Sequence, residues 1–162
     1  MFDKSPQGHY DSDIVSLLEK INKKFRTTSS CSGRIVLVKG ERKGGVSWLY
    51  KNHAQADAQE IYALVQEHGV LRFMYEPLIV HFQCLNEKEA EKILITLQLS
   101  GFKKSCCISF KHYTIEINDT GRMETIFTKE LPFSYVENIV LEANKRLGET
   151  KKNIEKLEKL FV

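Results

Sequence analysis

The densest chemistry in this sequence lies in one run, Thr28-Ser29-Ser30-Cys31-Ser32-Gly33-Arg34. Five of these residues are small and polar, and they precede a Gly, an Arg and an apolar stretch. Small side chains let a backbone approach a ligand closely, and consecutive N–H groups can line an anion-binding concavity. The hydroxyls add donors, and the guanidinium of Arg34 can grip a carboxylate or phosphate through two parallel bonds. An ordinary helix-to-strand loop has the same composition. The run lacks the Gly-Lys-Ser/Thr ending of a P-loop, and it is not a G-x-S-x-G elbow.

Three further residues could take part in proton transfer. His53 stands in the polar run Lys51-Asn52-His53 after an apolar stretch, where strand-end loops often carry function. His81 interrupts Leu78-Ile79-Val80-His81-Phe82. With period two it shares a face with Ile79 and Gln83, so it is either lining a pocket or satisfied by hydrogen bonds at a sheet surface. Glu76, before Pro77, puts a carboxylate at a fixed bend. Trp48 offers a flat face on which a purine would stack, although a lone Trp is more often core. Cys31 with a histidine base would make a nucleophile, which is a third and minor reading.

Charge points to a partner. Between Arg34 and Lys51 stand Arg34, Lys39, Arg42, Lys43 and Lys51 against a single acid, Glu41. Such a patch can meet phosphates, or can be the solvated tip of a hairpin. The formal charge of the whole chain, +3, is too small to argue for nucleic acid. The four cysteines, Cys31, Cys84, Cys106 and Cys107, form no C-x-x-C pair, which argues against a zinc ribbon and for thiols in a reducing compartment.

These residues must be positioned by a chain of 162 residues, 42% hydrophobic and 28% charged. That composition describes a globular protein able to bury its own core without staples, and one domain over residues 1–162 is expected. No apolar run reaches the roughly 20 residues of a membrane-spanning helix. Met1-Phe2-Asp3-Lys4-Ser5-Pro6 has no apolar core, so no secretory signal is expected and the cytoplasm is the expected compartment.

Periodicity supplies the elements. Asp11 to Phe25 reads as a helix with Ile14, Leu17, Leu18 and Ile21 on one face, capped by Ser12 or Asp13. The run 27–33 then breaks it. Ile35–Val38 and Val46–Tyr50 read as a hairpin turning at Lys43-Gly44-Gly45. Asp57–His68 is a helix, followed by strands Val70–Tyr75 and Leu78–Cys84. Glu87–Leu99 is the next helix. Ser105–Phe110, Tyr113–Ile117 and Met123–Phe127 form a three-stranded run, and Ser134–Phe161 is one long helix or two broken near Gly148. The expected class is α+β, a mixed or antiparallel sheet built from hairpin–helix units at 34–68 and 71–100.

Three blocks together resemble a known family. Thr28-Ser29-Ser30-Cys31-Ser32-Gly33-Arg34-Ile35 followed by Trp48 is similar to the N-terminal signature of the tRNA wybutosine-synthesizing protein 3 family. Phe73-x-x-Glu76-Pro77-x-Ile79-x-His81-x-Gln83-Cys84 and Ser100-Gly101-Phe102-Lys103-x-Ser105 resemble its later blocks. The likeness runs from about Asp13 to Lys152. It implies a non-Rossmann methyltransferase that uses S-adenosylmethionine, consistent with the lack of a G-x-G-x-x-G. The implied substrate is a ring nitrogen of a tricyclic guanosine derivative beside the anticodon of phenylalanine tRNA.

On this reading Ser29, Ser30, Cys31, Ser32, Gly33, Arg34 and Trp48 hold the cofactor. His81 or His53, with Glu76, handles the proton, because an unperturbed imidazole titrates near neutrality. Lys39, Arg42, Lys43 and Lys51 meet tRNA phosphates. No metal and no membrane are expected, and the protein is expected to be a monomer or weak oligomer. A small RNA-binding module without catalysis is the alternative.

Overall fold

The computed structural model describes residues 11–40, 45–119 and 121–161. In chain order its elements are a 3₁₀ turn Ser12–Ile14, α1 Val15–Asn22, β1 Arg26–Cys31, β2 Arg34–Lys39, β3 Ser47–Asn52, α2 Ala58–His68, β4 Leu71–Glu76, β5 Ile79–Gln83, α3 Glu87–Leu99, β6 Cys106–Ser109, β7 Thr114–Asn118, β8 Met123–Phe127 and α4 Phe133–Glu158. The strands form two four-stranded sheets, ordered β1-β5-β7-β6 and β3-β2-β4-β8. Every pairing is antiparallel. The α+β class and the antiparallel pairing agree with expectation.

The chain divides into two compact units. The first comprises the chain up to Ser32, Pro77–Thr120 and the segment from Thr150. Its core gathers Leu17, Leu18 and Ile21 of α1, Val80 and Phe82 of β5, Ile115 and Ile117 of β7, and Ile154 and Leu157 of α4. The rings of Phe25, Phe82 and Phe161 meet pairwise, with centroids 5.0 to 6.2 Å apart. Fully burying one such side chain is worth roughly 1.5–3 kcal/mol. Because Val80, Phe82, Ile115 and Ile117 alternate with polar residues, the opposite face of this sheet carries His81 and Glu116.

The second unit comprises Gly33–Glu76 and Gly121–Glu149. Ile35 and Leu37 of β2, Phe73 and Tyr75 of β4, Phe127 of β8 and Ile61 and Val65 of α2 fill its core with Val136, Val140, Ala143 and Leu147 of α4. Asp57 caps α2, its Oδ1 accepting from the backbone N–H of Gln59 at 2.7 Å and of Glu60 at 3.0 Å.

Four sequence expectations change. The run 27–32 is not a loop: Arg26–Cys31 pairs with β5, from Arg26 opposite Gln83 to Cys31 opposite Ile79, with a bulge between Thr27 and Ser29. Asn22 closes the short turn before it. Its side-chain amide donates to Leu18 O at 2.6 Å and to Thr27 Oγ1 at 2.7 Å, and its Oδ1 accepts from Thr27 N–H. A strand rich in Ser and Thr lacks the apolar alternation by which strands are recognised.

The start of the first helix carries no side-chain cap; a 3₁₀ turn with Ile14 N–H on Asp11 O leads into it instead. The strands 71–76 and 79–83 do not pair with each other, because Pro77 separates a strand of one sheet from a strand of the other. The run 105–127 splits as well, β6 and β7 lying in one sheet and β8 in the other. The final helix runs unbroken through Gly148.

Candidate active site

In the first unit, three neighbouring strands place polar side chains in one row. Ser29 on β1 is opposite His81 on β5, and His81 is opposite Glu116 on β7. The side chains use that register. Ser29 Oγ lies 2.7 Å from His81 Nδ1, and His81 Nε2 lies 2.7 Å from Glu116 Oε2. A carboxylate only accepts, so Nε2 carries a hydrogen and donates it to Glu116. In the neutral ring Nδ1 is then the acceptor, and the Ser29 hydroxyl donates to it.

Glu116 is held in turn by the side-chain amide of Asn118, which donates to Oε1 at 3.3 Å. His81 and Glu116 are shielded, with side chains 22% and 19% exposed, whereas Ser29 is open to solvent. The row therefore has a shielded carboxylate at one end and an accessible hydroxyl at the other. Beyond Glu116 the next residue across is Cys106. Its thiol is pushed above the ordinary range, first by partial desolvation and then by the Glu116 charge. A raised thiol holds less of the nucleophilic thiolate at neutral pH than an ordinary cysteine does.

The remaining residues of the 28–34 run divide at Ser32. Ser30 points to the face of Val80, away from His81, and Cys31 lies opposite Ile79. Ser32 is buried. Its N–H donates to Asp11 Oδ2 at 2.8 Å, and its hydroxyl and carbonyl accept from Lys151 Nζ, which also pairs with Asp13 at 2.7 Å. Ser32 thus anchors the end of β1 to the residues before α1 and to α4.

In the second unit the centre is Arg34 on β2. Its Nε donates to Glu76 Oε2 at 2.6 Å across the β2–β4 ladder, where the two residues are direct partners. The guanidinium also sits over the indole of Trp48, 5.0 Å from the ring centroid. Trp48 is 51% exposed, so it is a surface platform rather than core. Among the described residues only Nε of Arg34 is hydrogen-bonded, which leaves the edge with two terminal nitrogens for an outside acceptor.

Gly33, just before Arg34, has φ 92°, a left-handed conformation that side-chain-bearing residues rarely adopt. Its carbonyl accepts from Nδ1 of His53 at 2.9 Å. Lys39 and Lys51 are exposed, and among the described residues neither pairs with a carboxylate. Arg72 and Arg122, by contrast, both lean on Glu124. Arg42 and Lys43, the other expected phosphate contacts, lie outside the described residues.

The structure thus joins Ser29 to His81 in the first unit, and Arg34 to Glu76 and Trp48 in the second. Glu76, expected as a proton-transfer group, is the partner of Arg34. Sequence reasoning missed Glu116. Its signal was present, as the acid between Ile115 and Ile117 occupies the outward position of an otherwise apolar strand. What sequence could not supply was the register that puts it beside His81.

The whole chain, residues 1–162, matches the protein family described as Methyltransferase TYW3. A relative from Thermococcus sibiricus, named tRNA(Phe) 7-((3-amino-3-carboxypropyl)-4-demethylwyosine(37)-N(4))-methyltransferase, is 35% identical over 96% of this chain and 86% of its own length. A Pyrococcus horikoshii relative with the same name, numbered 1, is 32% identical over 94% of this chain and 84% of its own. Among solved structures, that of the PH1069 protein from Pyrococcus horikoshii superposes with a TM-score of 0.85 at 30% identity. It covers 96% of this chain and 87% of that one. Among the described residues no helix is long and apolar enough to cross a membrane.

Proposed function

The chain belongs to the Methyltransferase TYW3 family, and from that premise we propose that it methylates N4 of 7-(3-amino-3-carboxypropyl)-4-demethylwyosine at position 37 of phenylalanine tRNA, with S-adenosylmethionine as donor. The observation that carries this reading is His81, an imidazole fixed at both nitrogens on the polar face of a sheet. Methylating a ring nitrogen that bears hydrogen releases a proton, and a preset imidazole is suited to take it. The relatives' names supply the substrate, and the donor is the usual one for such transfers.

The residues of the second unit fit the donor and the modified base. Trp48 offers an exposed indole face for an adenine or for the tricyclic base. The open edge of Arg34 suits a carboxylate, and both the donor's amino-acid end and the 3-amino-3-carboxypropyl group of the base carry one. When bound, the donor supplies a methyl on a positively charged sulfur, already activated for transfer, so no metal is required. Glu76 holds the guanidinium in place rather than taking a proton. Ser29, Ser30, Cys31, Ser32 and Gly33 remain candidates for the donor's polar groups, although Ser32 is engaged with Lys151 and Ser29 with His81. Lys39 and Lys51, with Arg42 and Lys43, face phosphates. His53 is the competing base, but its Nδ1 is given to the Gly33 carbonyl. We further propose that the protein acts as a monomer or weak oligomer in the cytoplasm.

The test is transfer of labelled methyl from S-adenosylmethionine to phenylalanine tRNA carrying the 4-demethyl base, followed by nucleoside mass spectrometry. One methyl at N4 is expected. Binding of this tRNA with no transfer would favour the RNA-binding alternative.

A further inference from the structure

We infer that Ser29, rather than His81, is the group that touches the reacting nitrogen, and that Ser29, His81 and Glu116 form a proton relay. This rests on the methyl-transfer reading above and extends it to an atom and a path. The row is fixed by strand register, since each member is the direct cross-strand partner of the next. Both ring nitrogens of His81 are already engaged, Nε2 by Glu116 and Nδ1 by Ser29. An outside proton donor therefore meets the Ser29 hydroxyl first, and that hydroxyl is the accessible member of the three.

The oxygen of Ser29 has a lone pair to receive a proton while its own hydrogen leaves for Nδ1. The lone pair of N4 forms the new N–C bond, the S–C bond breaks, and its electron pair stays on sulfur. The N4 proton passes to Ser29 Oγ as the Ser29 proton passes to His81 Nδ1. The imidazolium is held by the Glu116 carboxylate until it gives its proton to water. Glu116 is a positioning residue in this scheme: it touches no reacting atom but fixes Nε2–H, and so keeps Nδ1 as the acceptor.

The bulge in β1 supports this assignment. It falls between Thr27 and Ser29, next to the serine that faces His81. Bulges re-aim side chains and are over-represented beside active sites. Without the extra residue, strict alternation would put Thr28 opposite His81, and Ser29 on the face of Val80.

Two measurements test the relay. The first is single-turnover methylation of the precursor tRNA at saturating donor, with donor and tRNA affinities measured separately. Ser29→Ala is expected to slow transfer by roughly 10²–10⁴-fold, the usual cost of losing a positioned proton-transfer group, with both affinities near wild type. Ser29→Thr, which keeps a hydroxyl, is expected to recover part of the rate.

The second is ¹⁵N NMR of the His81 ring in the free protein, which does not depend on activity. Wild type is expected to show hydrogen on Nε2 in the neutral ring, and Glu116→Ala, which removes the acceptor, is expected to lose that fixed tautomer and to slow transfer. If Ser29→Ala keeps the wild-type rate while His81→Gln is slow, the proton goes straight to histidine and the relay is wrong. If Ser29→Ala loses donor affinity yet turns over normally at saturation, Ser29 is a donor ligand and the relay is equally wrong. A wild-type protein that transfers no methyl to this tRNA overturns the function itself. In that case a fixed Nε2–H in the spectrum would still show the hydrogen-bonded row to be real.

Discussion

The guanidinium of Arg34 is shared between a carboxylate and an indole, and the sharing has a measurable size. The bond to Glu76 is charge-assisted, and such bonds contribute about 1.5–3 kcal/mol when shielded. Both side chains are more than a quarter exposed, 28% and 27%, so water screens the pair. Exposed ion pairs give roughly 0–1 kcal/mol, and the bond here should fall between the two ranges, near 1 kcal/mol. The indole contact at 5.0 Å, on a ring half open to solvent, adds about 0.5–1 kcal/mol.

Arg34→Ala should therefore destabilise the second unit by about 1.5–2 kcal/mol. Glu76→Gln alone should cost about 1 kcal/mol, and the double variant little more than Arg34→Ala, because the glutamate has lost its partner. The readout is built in. Trp48 is the only tryptophan in the chain, and it lies in the unit being perturbed. Urea titration followed by its fluorescence reports the unfolding of that unit, and Arg34→Ala should also shift its native emission by uncovering the ring. A coupling below about 0.3 kcal/mol, with unchanged emission, would show that neither contact persists in solution.

Three more outcomes follow from single residues. Gly148 lies inside α4 with open space where a Cβ would stand, so Gly148→Ala should raise stability by about 0.5–1 kcal/mol; a loss in thermal melting would refute this. The hydroxyl of Ser105 is buried with no hydrogen-bond partner among the described residues, so Ser105→Ala should be neutral or stabilising by up to about 1 kcal/mol, and a loss would reveal a partner the hydroxyl needs. Burial, then the charge of Glu89, pushes the Cys84 thiol from 9.0 up to about 11. An unfolded thiol ionises first, so stability should be intact below pH 9 and fall by up to about 2–3 kcal/mol as pH rises towards 11. Cys84→Ala should flatten that alkaline limb in denaturant titrations at pH 8, 9.5 and 11.

Much of the fold was legible because apolar residues keep a period. Met123–Phe127 appears as read, and α2 and α3 start beside residues that act as caps, Asp57 and Asn86. What was illegible is pairing at a distance. Nothing in β4 and β5 says that Pro77 ends one sheet and begins another, since a hairpin and a crossing share the same punctuation. β1 was hidden because Thr and Ser on an edge strand present no buried alternation. The site followed the same division. Ser29, Arg34, Trp48, Glu76 and His81 stood out as residue types, whereas the roles of Glu116 and Glu76 depend on which strand lies alongside.

The two units are interleaved in the sequence, and this orders events during synthesis. The unit that contains the first residues cannot be completed until the last segment, from Thr150, has been made. All of the other unit, from Gly33 to Glu149, is available earlier. On a ribosome delivering about 5–20 residues per second, β1 emerges long before β5, the strand it pairs with. Its hydroxyl-rich composition keeps a waiting, unpaired strand soluble, where an apolar one would invite aggregation. A premature stop just after Glu149 would spare every core residue named above for the second unit, yet deprive the first of Ile154, Leu157 and Phe161. The sheet bearing His81 would be the casualty of a truncation that removes these three side chains.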